Sequence, residues 1–249
     1  MKLLRSIMLL SCAAILLTSC GNNSSGDQTN KDTTKAGDTA NTAKATVPVA
    51  KNTIVTTPEN MVSATHKVAD YDKWQASYDG HDSMRLASGL HSYVIARGFN
   101  DPNMVMVVLK ADDMAKAKAF VKDPSLKKAM QKGGVVGPPM ISFMTAVWQD
   151  TAMLPPNTLR SKTTFSVKDW DVWFKNFQEG KQERMDNGIV DRVIGHDVDD
   201  NKKVSLVTAI MDSTKAFAYY KSDLLKKRRE AGGVIGTPQR FIFQIAKRY

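Results

Sequence analysis

Four histidines are the candidates for proton transfer in this sequence, and both cysteines lie within the first twenty residues, so the remainder has no cysteine nucleophile. His81 is the first candidate. It lies on a predicted helix, and a second copy of the same segment has Gly180 in its place. A residue needed for structure should recur in both copies, whereas a single site per molecule needs only one. His81 is therefore either a general base or ligand, or a surface histidine, and the second interpretation is the simpler one.

A stripe of aromatic and basic residues runs along the same predicted helix. Tyr71, Trp74, Tyr78, His81 and Arg85 are spaced by three or four positions, which places them on one helical face. Packing of the aromatic rings against a sheet is the simplest explanation of the stripe. Arg85 lies near the predicted helix end, where a positive charge interacts favourably with the helix dipole. Trp74, Tyr78 and Arg85 remain candidates for contact with a ligand.

A predicted strand carries the second set of candidates. Tyr93 and Arg97 share one face with His91 and Ile95 by alternation, and His196 is the counterpart of Arg97 in the second copy. If this face looks into a barrel, Tyr93, Arg97 and His196 contact a ligand in an otherwise apolar cavity. His196 is then a second residue that could move a proton.

No pattern in the sequence indicates a metal or a cofactor. HExxH, GxSxG and carboxylate clusters with metal-ligand spacing do not occur. The glycine-rich loops at 133–139 and 232–238 follow predicted helices and precede predicted strands, which is typical of a helix cap and turn rather than of a phosphate-binding loop. We therefore expect no metal site and no cofactor.

The chain contains one internal repeat. VADYDKW at 68–74 recurs as VKDWDVW at 167–173, and GGVVGPP at 133–139 recurs as GGVIGTP at 232–238. Both pairs are offset by the same 99 positions, so the two copies align without a gap. The repeat predicts one structural unit that occurs twice.

Periodicity and turn signals predict the order β-α-β-β-α-β for each copy. In the first copy, Asp70 is a good helix N-cap and Gly89 a good helix stop, so one helix is expected up to about Ser88. The sheet of such a unit leaves one face bare, and two units can cover each other. The predicted fold class is α+β, with two tandem βαββαβ ferredoxin-like repeats forming one pseudo-dimeric α/β barrel. The elements of the first copy are expected at 61–68, 70–88, 90–98, 103–110, 112–132 and 139–148, with the second helix interrupted at Asp123-Pro124.

These residues resemble a known superfamily. DYDKW at 70–74, a helix with His81 and Arg85 before Gly89, the turn at 101–103 and GVVGPP at 134–139 are similar to the dimeric α/β-barrel superfamily, near the antibiotic-biosynthesis-monooxygenase-like domains. The resemblance implies the fold and says little about activity. Members include cofactor-free monooxygenases, haem-degrading enzymes and isomerase-like proteins.

The N-terminal segment has the features of an export signal. Lys2 and Arg5 precede an apolar run, and the segment ends at Leu17-Thr18-Ser19-Cys20, which resembles a bacterial lipobox. We therefore expect a signal peptide at 1–19, a lipid-carrying Cys20 that anchors the protein to a membrane of the cell envelope, and a flexible tether at 20–58. The repeats follow at 59–150 and 159–249, with a linker at 151–158.

The net charge of +10 is spread along the chain, and no nucleic-acid-binding signature accompanies it, so a nucleic-acid partner is disfavoured. The first functional hypothesis is an envelope-anchored lipoprotein whose barrel binds a small apolar molecule or is purely structural. The alternative is a cofactor-independent monooxygenase-like or haem-handling enzyme that acts in the shared barrel, with His81 or His196 moving a proton.

Overall fold

The computed structural model describes residues 52–249. The predicted signal peptide, Cys20 and the tether up to residue 51 lie outside the described residues. Within 52–249, none of the helices has both the length and the apolar character needed to cross a membrane.

Both copies form the predicted order of strands and helices. The second helical segment of the first copy is divided at Asp123-Pro124, as predicted, and each of the other helical segments is also divided into two helices. Aspartates cap five of these helices, and each accepts a hydrogen bond from a first-turn amide: Asp70, Asp113, Asp123, Asp169 and Asp212. The first copy comprises β1 (Ile54–Val55), β2 (Glu59–Val68), α1 (Tyr71–Gly80), α2 (Asp82–Ala87), β3 (Leu90–Gly98), β4 (Met104–Ala111), α3 (Met114–Phe120), α4 (Pro124–Lys132) and β5 (Val135–Asp150). The second copy comprises β6 (Leu159–Val167), α5 (Trp170–Glu179), α6 (Lys181–Asp186), β7 (Ile189–Asp197), β8 (Lys203–Ile210), α7 (Ser213–Tyr220), α8 (Asp223–Ala231) and β9 (Val234–Arg248).

Three boundaries differ from the prediction. The helix expected from Asp70 to Ser88 breaks at His81, whose backbone leaves the helical region. β5 begins four residues earlier than expected, because its pairing with β2 resumes at Val136 beyond a bulge at 137–139, where Gly137 adopts a positive φ of 74°. The short strand β1, within the predicted tether, pairs with the end of β5.

The strands form one closed antiparallel sheet. Each copy has the internal order fourth, first, third, second, so that β5-β2-β4-β3 continues into β9-β6-β8-β7. The halves join through β3 with β9 and through β5 with β7. These two pairings close the sheet into a barrel of eight strands, with β1 added outside the ring. Closure removes the unpaired edges that two separate sheets would expose. The fold is therefore the predicted α+β pseudo-dimeric α/β barrel.

The helices cover the outside of the barrel. Apolar residues therefore pack in two layers, one between the helices and the sheet and one inside the barrel. Val62, Leu90 and Phe120 belong to an outer core between the first sheet half and its helices. Val94, Ala96, Met106 and Phe243 form part of an inner core that strands of both halves share. The outer residues therefore hold each half together, and the inner ones join the halves.

Candidate functional site

A cavity of about 370 Å³ lies inside the barrel. Its wall combines strands from both copies, and the segment 151–157 lines it as well. The barrel interior is thus partly open rather than filled by side chains. The apolar part of the wall comprises Met61, Val94, Met106, Val108, Met144, Val193, Val207, Phe243 and Ile245.

Two β-bulges determine which residues reach this cavity. The pairing of β3 with β4 shifts between Ser92 and Val94, and the pairing of β7 with β8 shifts between Asp191 and Val193. A bulge breaks the alternation of faces, so that neighbouring residues can line the same space. Tyr93 lines the cavity together with Val94, and its counterpart Arg192 does so together with Val193.

Three arginines lie together in the cavity lining with one carboxylate. Arg192 Nη1 donates to Asp150 at 3.1 Å, and its Nη2 donates to the Ala152 carbonyl at 2.6 Å. Arg160 donates to the Thr158 carbonyl at 3.0 Å. Within residues 52–249, Arg160 and Arg248 form no ion pair. We call Arg160, Arg192, Arg248 and Asp150 the cationic cluster.

Positive charge in this cluster exceeds the negative charge that balances it. Burial, together with the charges of Arg248 and Arg192, lowers the pKa of Arg160 to about 10. The pKa of Arg192 is also lowered, mainly by burial, although Asp150 opposes the shift. Both side chains stay protonated at neutral pH, and an anion placed among them would relieve their mutual repulsion.

Lys162 also lines the cavity, on the same face of β6 as Arg160. Its Nζ donates to Ser63 Oγ at 2.5 Å and to Ser142 Oγ at 3.2 Å, and the two hydroxyls are 2.7 Å apart. The side chain is half-buried, and it borders the cavity. Burial lowers the pKa of the Lys162 ammonium to about 8.

Of the residues predicted on the two strands, only Tyr93 lines the cavity. The prediction that Arg97 and His196 face the interior is wrong, because the bulges reverse the alternation beyond them. Arg97 lies outside the barrel, with its guanidinium 3.9 Å from the centre of the Tyr71 ring. His196 also lies outside, edge-on to Trp170 at 4.9 Å, and its Nδ1 contacts the Asp197 carbonyl at 2.9 Å.

Trp74, Tyr78 and Arg85 belong to the layer between α1, α2 and the sheet. Trp74 stacks on Tyr78 with ring centres 5.3 Å apart, and the Arg85 guanidinium lies 3.7 Å from the centre of the Tyr78 ring. Arg85 also donates to the Tyr78 carbonyl at 2.8 Å and to Ser92 Oγ at 3.1 Å. These contacts join the two helices to β3, and none of the three residues lines the barrel cavity.

His81 occupies the junction of α1 and α2. Its Nδ1 lies 2.6 Å from the Ser77 carbonyl, and the side chain is half-buried away from the barrel cavity. A Cβ at its counterpart Gly180 would lie 3.2 Å from Arg184 Nη1 and 3.3 Å from Arg228 Nε. The first copy keeps the first of these arginines as Arg85 and has the small Ala129 in place of the second. Crowding by Arg228 therefore favours glycine in the second copy.

A smaller cleft of about 80 Å³ lies between the second sheet half and its helices. Arg240 stacks on Tyr220 at 3.5 Å and donates to Thr163 at 3.2 Å, and the buried Tyr220 hydroxyl has no partner within residues 52–249. The cleft can hold a few water molecules or a small anion.

Sequence reasoning missed Lys162 and the cationic cluster. A signal for Lys162 was present: β6 is a central strand with polar residues on both faces, which is unusual where both faces are covered. Arg160 and Lys162 alternate along it. No local pattern marks Arg248, since its position depends on how the two copies join.

In the part of the chain that the structure describes, no three histidine, cysteine, aspartate or glutamate side chains are grouped as a metal site.

Comparison with known proteins identifies solved structures that have a similar fold. No protein-family model matches the chain, and no curated protein matches it. Solved structures do match. A candidate monooxygenase from Fusobacterium nucleatum subsp. nucleatum has 14% identity and a TM-score of 0.50, covering 76% of this chain and 93% of that one. An anthrone oxidase-like protein has 10% identity and a TM-score of 0.55, covering 79% and 95%. A candidate chlorite dismutase has 14% identity and a TM-score of 0.50, covering 77% and 96%.

These similarities and the strand order define the structural class. The chain has the dimeric α/β-barrel fold, with both halves of the barrel supplied by one polypeptide.

Proposed function

We propose that the barrel binds a small amphipathic molecule with an apolar body and an anionic group. The observation that carries this proposal is an apolar cavity of about 370 Å³ whose lining includes three arginines and only one carboxylate. Cavities of this size, with apolar walls and a few convergent polar groups, are typical of small-molecule sites. The proposal keeps the apolar ligand expected from the sequence and adds a charge to it.

The cationic cluster favours an anion for electrostatic and geometric reasons. Arg160 and Arg248 have no carboxylate partner within residues 52–249, so an incoming anion does not have to displace one. Guanidinium groups bind carboxylate, sulfate or phosphate groups through paired hydrogen bonds. The methionine side chains of the wall, Met61, Met106 and Met144, can adjust to different apolar shapes.

A pair of fluorescent dyes tests the proposal. Anilinonaphthalene sulfonate and phenylnaphthylamine share an aromatic body, but only the first carries an anionic group. We expect Arg160→Gln to weaken binding of the sulfonate about tenfold and to leave the neutral dye almost unchanged. Arg97→Gln, which removes an arginine outside the barrel, is the matched control. Equal sulfonate affinity in wild type and Arg160→Gln would refute the anionic site.

We also propose that the protein is a lipoprotein of the cell envelope, anchored through Cys20. The charged start, the apolar run and the placement of Cys20 support this location, and the polar segment after Cys20 would separate the barrel from the membrane. Labelling with a radioactive fatty acid tests it. Wild type should incorporate the label and sediment with membranes, and Cys20→Ala should do neither. A membrane-bound, unlabelled wild type would contradict lipidation.

An enzyme of the monooxygenase-like or haem-handling kind is the second candidate. The buried Tyr220 hydroxyl in the helix–sheet cleft, which has no partner within residues 52–249, supports it, and two of the similar structures carry names of that class. The size of the cleft, about 80 Å³, is against it, because a multi-ring aromatic substrate does not fit there without rearrangement. A haem is disfavoured as well, since neither cavity lining contains a histidine or a cysteine, the axial ligands of globins, peroxidases and P450-type proteins.

Oxygen uptake separates the two candidates. The Cys20→Ala protein should neither consume oxygen with quinol-like aromatics nor show a Soret band with haem. Turnover that is lost in Tyr220→Phe would establish the enzyme instead.

A further inference from the structure

Lys162 is a half-buried amine that forms no ion pair within residues 52–249, and it lines the cavity that the proposed function assigns to a ligand. We propose that Lys162 captures an amphipathic aldehyde or ketone as a Schiff base, with the anionic group of the same molecule held by the cationic cluster. This inference rests on the proposed function and narrows its ligand to carbonyl compounds.

The surroundings of Lys162 favour a neutral, nucleophilic amine. Its hydrogen-bond partners are two hydroxyl groups, Ser63 and Ser142, and it forms no ion pair within residues 52–249. Carboxylate partners, as found for Lys110 with Glu59 at 2.7 Å, would hold a lysine in the charged form. Burial without such a partner disfavours the charge, and a lysine desolvated in this way is an activated nucleophile.

The two serines provide a route for the protons of the reaction. The neutral Nζ attacks the carbonyl carbon, and one N–H proton moves to the carbonyl oxygen to give a carbinolamine. The second N–H proton and the hydroxyl group then leave as water, while the C=N bond forms. Ser63 and Ser142, 2.7 Å apart and both within reach of Nζ, can relay these protons. The reaction needs no oxidant or reductant.

The tandem arrangement explains why a single lysine can occupy this position. Lys162 and Ser63 are counterparts at the offset of 99 positions, and they contact each other across the barrel. Two identical chains would place two lysines at this contact, where their charges would repel each other. One polypeptide with diverged copies can pair a lysine with a serine instead.

The strand sets the shape of the preferred ligand. Arg160 and Lys162 are two residues apart on one face of β6, which corresponds to about 7 Å along a strand. A carbonyl and an anionic group held on opposite sides of one aromatic ring match this spacing. 4-Carboxybenzaldehyde is therefore the probe. 2-Carboxybenzaldehyde tests whether the distance between the two groups matters, and benzaldehyde tests whether the anionic group is needed.

The experiment uses the full chain with Cys20→Ala, treated with the probe and cyanoborohydride. We expect one reduced adduct per chain, mapped to Lys162 by peptide mass spectrometry, at least tenfold faster with the 4-carboxy probe than with the other two aldehydes. Lys162→Met should abolish the adduct, and Lys122→Met, which removes an exposed lysine, should retain it. In protein that retains Lys162, the labelling rate should increase with pH and reach half of its maximum near pH 8. This pH profile tests the inference even if Lys162→Met does not fold.

The outcomes separate this inference from the proposed function. Displacement of the anionic dye by 4-carboxybenzaldehyde without a Lys162 adduct would overturn the Schiff base and leave the anion site in place. Adducts spread over surface lysines, equally in Lys162→Met, would overturn the Schiff base as well. Absence of labelling together with equal sulfonate affinity in wild type and Arg160→Gln would overturn both proposals.

Discussion

His66 makes this protein sensitive to acid, and the second copy of the repeat shows how to remove that sensitivity. His66 lies on the outer face of β2, with its ring edge-on to Trp74 at a centre distance of 5.5 Å and an angle of 61°. Its counterpart Phe165 lies edge-on to Trp173 at 5.4 Å and 64°. His66→Phe therefore transfers the packing of one copy to the other with little change of shape.

The size of the pH-dependent loss of stability follows from burial of the His66 imidazole. His66 is 5% exposed, and neither ring nitrogen has a partner within residues 52–249. Desolvation lowers its pKa from 6.5 to about 4. Between these values the unfolded chain binds the proton that the folded protein excludes, so stability present above pH 6.5 is lost as the pH falls towards 4. Between about pH 7.5 and about pH 5, the loss of unfolding free energy is about 2 kcal/mol.

Urea denaturation at the two pH values measures this loss. The drop in unfolding free energy from pH 7.5 to 5 should be about 2 kcal/mol smaller in His66→Phe than in wild type. Carboxylates that titrate in the same range act equally on both proteins and cancel in the difference. Phe165→His is the converse control, since it should acquire a comparable additional loss. Equal losses in wild type and His66→Phe would mean that His66 is solvated or protonated in the folded protein, and would refute the reasoning.

Two further predictions each compare a pair of substitutions. The first pair removes equivalent arginines of the two copies, and the second pair replaces two glycines of the second copy. Arg184→Met should lower the unfolding free energy by about 3–5 kcal/mol in urea denaturation, because it leaves the buried Asp191 carboxylate, bonded at 2.6 and 2.8 Å, without a partner. Arg85→Met should lower it by less than half as much, since the carboxylate it contacts is 47% exposed; equal losses would contradict this. Gly188→Ala should lower the thermal midpoint more than Gly236→Ala, although both glycines have a φ of 69°. A Cβ at Gly188 would lie 2.5 Å from a side chain of the β8–α7 turn, whereas a Cβ at Gly236 meets open space, so equal shifts would show that backbone strain alone matters.

The order of elements could be predicted because its signals are local. Asp70 caps α1, as predicted, and Gly89 has the positive φ of 66° that ends the following helix segment. Each local signal recurs at the offset of 99 positions, so the sequence also predicted two equivalent units that share one barrel. The break at His81 was not predicted, because the aromatic and basic residues keep the three-and-four spacing of one helix across it.

The positions of the candidate site residues could not be predicted with the same success. Alternation along β3 placed Tyr93 and Arg97 on one face, but a bulge turns only the first towards the cavity. Whether a strand residue faces the interior depends on pairing with a strand far away in sequence, and one extra residue reverses every later side chain. Local periodicity contains no information about that register.

The amino-acid sequence by itself determined the elements, their duplication and the bare sheet face that requires a second half, since these depend on neighbouring residues and on a simple count. Only the tertiary structure decided that Lys162 meets Ser63 and that Arg160, Arg192 and Arg248 gather beside one carboxylate. The physical reason is that closure of the barrel joins β3 to β9 and β5 to β7, and these pairings bring together charges that are distant in the chain.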